Sequence, residues 1–410
     1  MPEGTGCVVV GGGPAGMMAG LLLARAGVAV TVLEKHADFL RDFRGDTVHP
    51  STLTLLDELG LGARFDALPH SELTAAGFPL PDGRLMKLAD MTRLKVSHPY
   101  IAMVPQWDFL NLLASAGAAE KSFDLRMETE VTGLLREDGR VAGVRYTGPD
   151  GPGELRAGLV IAADGRWSLA RREAGLRPRE YDCPFDVWWF RLSRHADEGE
   201  GALTPRMRNR RFAVPLPRPG YFQVAYLAPK GADLRGEGIV AFRANVASVC
   251  PEFADRVAEL RTMDDVKFLD TRLNLLRTWH VDGLLCIGDA AHAMSPVGGV
   301  GINLAVQDAV GAATLLAGPL RRGRPTPAEL AKVRTRRLAP TLAVQGLQRV
   351  LHRAVMRPVM AGRRDGPPEA LVRLFVRFPR LSYVPARLLG LGLRPEHAPP
   401  FARRPPEPGG

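Results

Sequence analysis

"CVVVGGGPAGMMAGLLLARAGVAVTVLE", residues 7–34, decides the fold. Cys7–Val10 make a short buried strand, and "GGGPAG" at 11–16 follows at once. Met17–Ala26 carry helical patterning that stops at Gly27. "VAVTVLE" at 28–34 is a second buried strand. The unit is βαβ, with Gly11, Gly13 and Gly16 in G-x-G-x-x-G register and Glu34 roughly 20 residues on. Gly11 permits the tight turn, Gly13 lets the backbone approach a pyrophosphate, and Gly16 lets the helix pack on its strand. Pro14 and Ala15 open that helix, whose N-terminus offers free N–H groups and a positive dipole end to an anion. The Glu34 carboxylate can accept the hydrogens of a ribose diol, and Lys35 stands beside it. The stretch predicts a dinucleotide-binding fold.

A second stretch raises a question. "CIGDAAHAMSPVGGVGINLAVQDA", residues 286–309, also ends an apolar run in Gly-Asp, crosses a glycine-rich turn and enters a helix. A third, "LRAGLVIAADGRWSLARREAG" at 155–175, has an apolar strand ending in Ala162-Ala163-Asp164-Gly165. One chain therefore carries three strand-to-turn junctions of related character.

Composition narrows the class. The chain has 410 residues, a formal net charge of +10 and a pI near 9.8. That balance favours anionic partners: a phosphorylated cofactor, an acidic carrier protein or a membrane surface. No interleaved aromatic-basic motif, helix-turn-helix or zinc finger points to nucleic acid. Cys7, Cys183, Cys250 and Cys286 are widely spaced and read as buried free thiols, without a disulfide framework or a metal cluster. "MPEGTG" lacks a signal-peptide core, and Arg25 and Gly27 break the apolar stretch at 17–30, so no transmembrane helix is expected there. A cytoplasmic, reducing setting follows.

The chain reads as an α/β protein: a Rossmann-like domain, an inserted antiparallel β-sheet domain and a C-terminal helical region. Residues 1–75, 106–180 and 276–320 form the nucleotide domain in three parts. Residues 76–105 and 181–275 belong to the substrate domain, 321–398 are helices, and 399–410 read as a disordered tail. Arg41 and Arg44 precede a helix opened by Pro50 and Ser51; either they are solvated loop cations or one of them, Arg44 in preference, meets the pyrophosphate. A hairpin is expected around Asp138-Gly139. Trp188, Phe190, Phe212, Pro215, Tyr221 and Phe222 on the inserted sheet are candidate substrate contacts, although alternation puts half or more of such residues into plain core.

The three junctions together resemble the single-component flavoprotein monooxygenases of the p-hydroxybenzoate hydroxylase type, which include tetracycline-inactivating enzymes. The match rests on G-x-G-x-x-G at 11–16, D-G-x-x-S-x-x-R at 164–171, G-D-A-A-H-x-x-x-P at 288–296 and G-x-N at 301–303. The resemblance implies FAD as cofactor and NAD(P)H as co-substrate. The N-terminal loop would then hold the pyrophosphate, and the second glycine-rich turn would cover the ribityl chain and flavin. Asp289 would accept from a ribityl hydroxyl. Pro296, Gly299 and Gly301 would pass along the ring, and the Ile302 and Asn303 N–H groups would face its N1–C2=O edge. Asp164, Ser168 and Arg171 would lie near the cofactor and the nicotinamide path, with a structural salt bridge the alternative for Arg171. Gln106 would meet the FAD phosphate or ribose, and the backbone of Val131 the adenine. His292 reads as a structural histidine.

The implied reaction is hydroxylation or epoxidation of a bulky apolar aromatic or polycyclic molecule through a flavin C4a-hydroperoxide, with no obligatory side-chain acid or base. A halogenase, a double-bond reductase on the same scaffold, and a flavoprotein that sequesters a drug-like ligand are the alternatives. Trp188-Trp189 lacks the Trp-x-Trp-x-Ile-Pro spacing of the halogenases. The arginine-rich C-terminal segments either pack on the nucleotide domain or form a docking surface for an anionic membrane or a carrier protein.

Overall fold

A computed structural model describes residues 4–40, 46–80, 82, 84–195, 198 and 202–405. Its central sheet places six strands in the order His280–Val281, Leu284–Cys286, Gly151–Ala162, Gly4–Val10, Val30–Leu33, Phe123–Arg126. The last five run parallel to one another, and His280–Val281 is antiparallel to Leu284–Cys286. Parallel strands need crossovers and are buried on both faces, which is why Cys7–Val10 and Val30–Leu33 are unbroken apolar runs. The hairpin Glu130–Glu137/Arg140–Gly148 adds to one side of the long Gly151–Ala162 strand.

The first crossover is the helix Pro14–Arg25, buried from Ala15 to Ala24. Proline at its start needs no N–H partner there, and Gly27 at φ +77° ends it. Gly20 sets its distance from the sheet, since a Cβ would lie 2.7 Å from Val32 Cγ2 and 2.8 Å from Phe123. The helix Gly301–Arg322 packs against it and is itself buried from Ile302 through Ala313.

The inserted layer is a five-stranded antiparallel sheet, Arg206–Arg208, Arg211–Arg218, Tyr221–Pro229, Phe185–Ser193, Lys267–Leu269. Gly220, at φ +76°, makes the turn of its central hairpin. One face is covered by the helix Leu234–Val249. The other faces Leu73 and Met103 of the small sheet that joins the two layers.

After Arg322 the chain is helical. Thr326 and Glu329 form a capping box that starts Pro327–Leu351. That helix carries the fully buried Arg337, whose Nε lies 3.1 Å from Asp308 and whose Nη1 lies 3.2 Å from Glu396. Its Nη2 donates to Gln307 Oε1 at 3.2 Å. Asp308 also accepts from Gly288 N at 3.1 Å and sits 2.6 Å from His292 Nε2. Burial opposes ionisation of Asp308, but His292 and Arg337 outweigh it and hold its carboxyl below the ordinary value. Two helices and the second glycine-rich turn are thus tied through one guanidinium.

One expectation needs correction. Residues 399–405, read as part of a disordered tail, are packed: Pro400–Ala402 form a turn, and Ala402 is fully buried. The Ala402 carbonyl accepts from Arg25 Nη1 at 2.8 Å, and Arg404 N donates to Glu58 O at 3.2 Å. Arg25, buried beside Glu120, also donates from Nη1 to Leu59 O at 2.9 Å. Residues 406–410 lie outside the described residues. The C-terminal arginines also fall into two kinds: Arg336 and Arg337 are tied to Glu396, while Arg373, Arg377 and Arg380 are exposed. Beside the exposed ones, Leu374, Val376, Phe378, Leu381, Tyr383, Val384 and Leu393 are exposed as well. Among the described residues no helix is long and apolar enough to cross a membrane.

Arg337→Ala removes the buried cation shared by Asp308 and Glu396, and the expected loss is about 3–5 kcal/mol. Urea unfolding of the cofactor-free protein measures it. Arg336→Ala should lose less, because its side chain is 30% exposed and solvent already screens the pair.

Candidate functional site

The three motifs meet because their strands end in one row. Val10 is opposite Leu33 on one side and Ala162 on the other, and Ala162 is opposite Cys286. The ladder runs one residue further into each turn: Gly11 N donates to Leu33 O at 2.8 Å, Ala163 N to Val10 O at 2.9 Å, and Ile287 N to Ala162 O at 3.0 Å. All the turns therefore leave from the carboxyl edge of the sheet, where open α/β sheets bind their ligands. A Cβ on Gly288 would lie 3.2 Å from that of Ala15, so the two glycine-rich turns touch.

The glycines of the first turn do different work. Gly11 sits at φ +101°, with Ala163 O 2.7 Å from where its Cβ would be. A Cβ on Gly16 would be 1.9 Å from Gly11 O. Gly13 has φ −73° and nothing within 4 Å of its missing Cβ. Neither backbone strain nor packing requires glycine at 13, so the space fits a ligand backed onto the chain. No side chain caps the helix it opens, so the first-turn N–H groups remain available to an anion.

Glu34 is 6% exposed. Its Oε2 accepts from Gly12 N at 2.9 Å and its Oε1 from His36 N at 3.1 Å. The carboxylate shapes the glycine turn. Lys35 is exposed. Val131 follows Thr129, whose N–H donates to Glu34 O at 2.8 Å, by two residues and lies buried at that edge of the sheet. Gln106 opens the helix Gln106–Ala118, and its backbone N–H meets the Asp46 carboxylate. Arg41 and Arg44 lie outside the described residues.

The middle motif is a latch. Ser168 Oγ accepts from Arg171 N at 2.9 Å and caps Leu169–Glu173. Arg171 is buried, donating to Ala290 O at 3.0 Å and to Arg166 O at 2.8 Å, so it joins the second motif to the third through carbonyls rather than a salt bridge. Asp164 Oδ2 accepts from Ala170 N at 3.1 Å, while its buried Oδ1 has no partner. Burial pushes the Asp164 pKa up. An orphaned acceptor at the strand edge suits a ligand hydroxyl.

In the third motif Asp289 keeps 30% of its side chain exposed, 3.4 Å from Arg166 Nη2. His292 is buried against Trp279 and paired with Asp308, a structural position. Pro296 is half-buried. Gly299 is held from behind: Thr47 Oγ1 donates to its carbonyl at 2.7 Å, and a Cβ would meet that hydroxyl at 2.7 Å. His49, fully buried, sets its ring nitrogens 3.0 Å from Gly299 O and 2.8 Å from Leu389 O. Burial lowers its pKa to about 4, so the ring is neutral near pH 7. Gly301 has open space at its Cβ position and starts a helix that no side chain caps. The Asn303 side chain turns away and accepts from Ser51 Oγ at 2.9 Å and Thr52 Oγ1 at 2.6 Å. What Ile302 and Asn303 present toward a ligand is therefore backbone. Sequence spacing did not reveal Thr47, His49, Ser51 or Thr52, whose partners lie about 250 residues away.

The substrate-contact expectation is corrected for four of its six residues. Trp188, Phe190, Pro215 and Phe222 share the sheet face that packs on Leu234–Val249 and its flanking turn. Phe190 meets Phe242 edge-on at 5.4 Å, and Phe222 meets Phe253 at 5.3 Å. Phe212 and Tyr221 are on the opposite face, Phe212 against Met356 and Met360 and Tyr221 under Arg191 at 4.8 Å. The face toward the junction carries Trp189, Val214 and Leu216 beside Met103. Arg191 and Gln223 pair across the strands on it, and buried Arg218 grips Gln223 and Asp46. Period two identified two faces without saying which one points inward.

The model of an FAD binding domain matches residues 5–344. A 6-methylpretetramide 4-monooxygenase of Streptomyces rimosus is 36% identical over 327 residues, covering 78% of this chain and 76% of that protein. A 12-dehydrotetracycline 5-monooxygenase/anhydrotetracycline 6-monooxygenase of Streptomyces rimosus subsp. rimosus is 30% identical over 333 residues, 74% of this chain and 60% of that one. Among solved structures, the OxyS anhydrotetracycline hydroxylase from Streptomyces rimosus superposes with a TM-score of 0.74 at 24% identity, covering 95% of this chain and 76% of that chain. The p-nitrophenol 4-monooxygenase PnpA from Pseudomonas putida DLL-E4 superposes with a TM-score of 0.69 at 21% identity, covering 96% and 100%. At those identities the two structures speak for the fold.

Gly13→Ala should leave the cofactor-free protein as stable as the original and yet lose FAD, read as flavin content after purification and as melting temperature. Gly16→Ala, aimed at Gly11 O, should lower the melting temperature itself. Asp289→Ala should weaken FAD binding by about 1–3 kcal/mol, the scale of a hydrogen bond to a charged group. Unchanged affinity in a flavin titration would remove Asp289 from the contact set.

Proposed function

The chain belongs to the family defined by that FAD binding domain and is an FAD-dependent monooxygenase; from that premise we propose that it hydroxylates a polycyclic aromatic molecule of polyketide type, using NAD(P)H and dioxygen. The observation that carries this reading is the contact between the two glycine-rich turns at Ala15 and Gly288, which leaves one continuous edge for a long dinucleotide. FAD, when bound, accepts hydride from NAD(P)H and activates dioxygen. The chain positions, encloses and polarises. Gly13 and the first turn of Pro14–Arg25 meet the pyrophosphate, and Glu34 meets the ribose. The unfilled N–H groups of Gly301, Ile302 and Asn303 place a positive helix end where reduced flavin is negative.

The substrate chamber is assigned to the inward face of the inserted sheet. Trp189, Val214, Leu216, Met103 and Ile101 supply an apolar wall that excludes water. Arg191 and Gln223 supply the polar groups that orient a phenol or enol. The names of the two relatives, a 6-methylpretetramide monooxygenase and a 12-dehydrotetracycline/anhydrotetracycline monooxygenase, support the size class. They give halogenation, double-bond reduction and mere sequestration no comparable support.

The exposed apolar cluster at 374–393 supports a second part of the proposal, peripheral docking on an anionic membrane. Arg373, Arg377, Arg380 and Arg387 stand among those side chains, so apolar contact and charge act together. Co-sedimentation with phosphatidylglycerol vesicles should weaken steeply with salt. Binding to an acidic carrier protein with no vesicle binding would overturn the docking reading.

Polycyclic phenols should stimulate NADPH oxidation by the purified yellow protein. Labelled dioxygen should place its label in the product. Stimulated oxidation with only hydrogen peroxide formed, across a panel of such phenols, would contradict the substrate class.

A further inference from the structure

We propose that a cleft between the Pro327–Leu351 helix and the Pro178–Tyr181/Leu273–Leu276 ribbon binds the phosphorylated adenosine half of NADPH. The proposal rests on the reading that the enzyme consumes NAD(P)H. The single strand–glycine turn–helix unit of Rossmann type is allotted to FAD, so the phosphates of the co-substrate need other cations.

The cleft has a volume of about 400 Å³, within the ~300–1,000 Å³ range of small-molecule sites. Leu275, Leu276, Leu338 and Leu342 make its floor, and Arg179, Arg277 and Arg334 line it. Tyr181 also borders a smaller adjoining cleft with Arg349 and Arg353. Both Arg179 and Arg349 lie over the Tyr181 ring, at 5.4 and 4.8 Å from its centroid. Among the described residues none of these five arginines has a carboxylate partner, whereas Arg357, at the far end, pairs with Asp182. Arg334 Nε is buried with no hydrogen-bond partner, as is the Nδ1 of His280, whose pKa is lowered by burial first and then by the neighbouring Arg334 charge.

Five guanidinium groups without carboxylates around an apolar floor repel one another, and the arrangement suits a ligand that is both polyanionic and flat. A phosphate monoester offers bidentate acceptors to arginine. A purine offers a ring to stack on guanidinium and aromatic faces. The smaller cleft reaches His352, whose Nε2 is 2.9 Å from Ser295 Oγ, the residue before Pro296. The smaller cleft therefore borders a side chain hydrogen-bonded to the turn assigned to the flavin. Arginine selects a 2′-phosphate over a 2′-hydroxyl, so the site favours NADPH over NADH.

Isothermal titration of the FAD-loaded protein with 2′,5′-ADP, 5′-ADP and inorganic phosphate tests this without turnover. The probe 2′,5′-ADP should bind more tightly than the other two. Arg179→Ala and Arg334→Ala should each weaken it about tenfold, the scale of one charge-assisted hydrogen bond. Flavin content and melting temperature should stay as they were, and the KM for NADPH should rise at unchanged kcat. Equal binding of 2′,5′-ADP by the protein and both variants, or equal binding of inorganic phosphate and the nucleotide, would overturn the proposal. A protein that binds the probe but incorporates no oxygen would end the activity reading and leave the cleft assigned.

Discussion

The register of the parallel sheet is the constraint on which the rest depends. Leu33, Val10, Ala162 and Cys286 stand in one row, and each strand stops there. A turn that must leave a sheet edge needs small residues, and a helix that must return over the sheet begins with free N–H groups. Repeating that event at one edge yields a line of backbone donors, orphaned acceptors and open glycine positions. A slip of one residue in any strand would turn its side chains to the other face and withdraw its turn from the line.

That line is held from behind by buried polar ties. Arg171 joins the second motif to the third, and Arg337 joins the third to the C-terminal helices. Thr47 and His49 hold the Gly299 carbonyl. Buried charges are weak sources of net stability but lose heavily when one partner goes. Their arrangement here fixes where a turn sits, and that placement, within fractions of an ångström, is what a cofactor site needs.

The nucleotide fold was legible because its signals are local. Gly11, Gly13, Gly16 and Glu34 lie within one βαβ unit, and each has a stereochemical reason visible in sequence. The later motifs were legible as a resemblance, and the shared row of strand ends gives it a physical basis. The inserted sheet was legible as a sheet, but its orientation was not. Trp188 and Trp189 are neighbours with opposite fates, one packed on a helix and one facing the junction, and only tertiary packing separates them. The tail at 399–405 looked disordered because proline and arginine dominate it. The buried Arg25 that anchors it is some 377 residues away. Arg337 carries no local mark of burial either, since Asp308 and Glu396 are 29 and 59 residues away.

A crystal structure of the FAD-loaded protein tests the central claim most directly. The account predicts the pyrophosphate over Gly13, the ribose diol on Glu34, and the isoalloxazine between Pro296 and the first turn of Gly301–Arg322, with Asp289 on the ribityl chain. A flavin that leaves the first turn in another direction, with Gly288, Asp289 and Gly301 untouched, would contradict it.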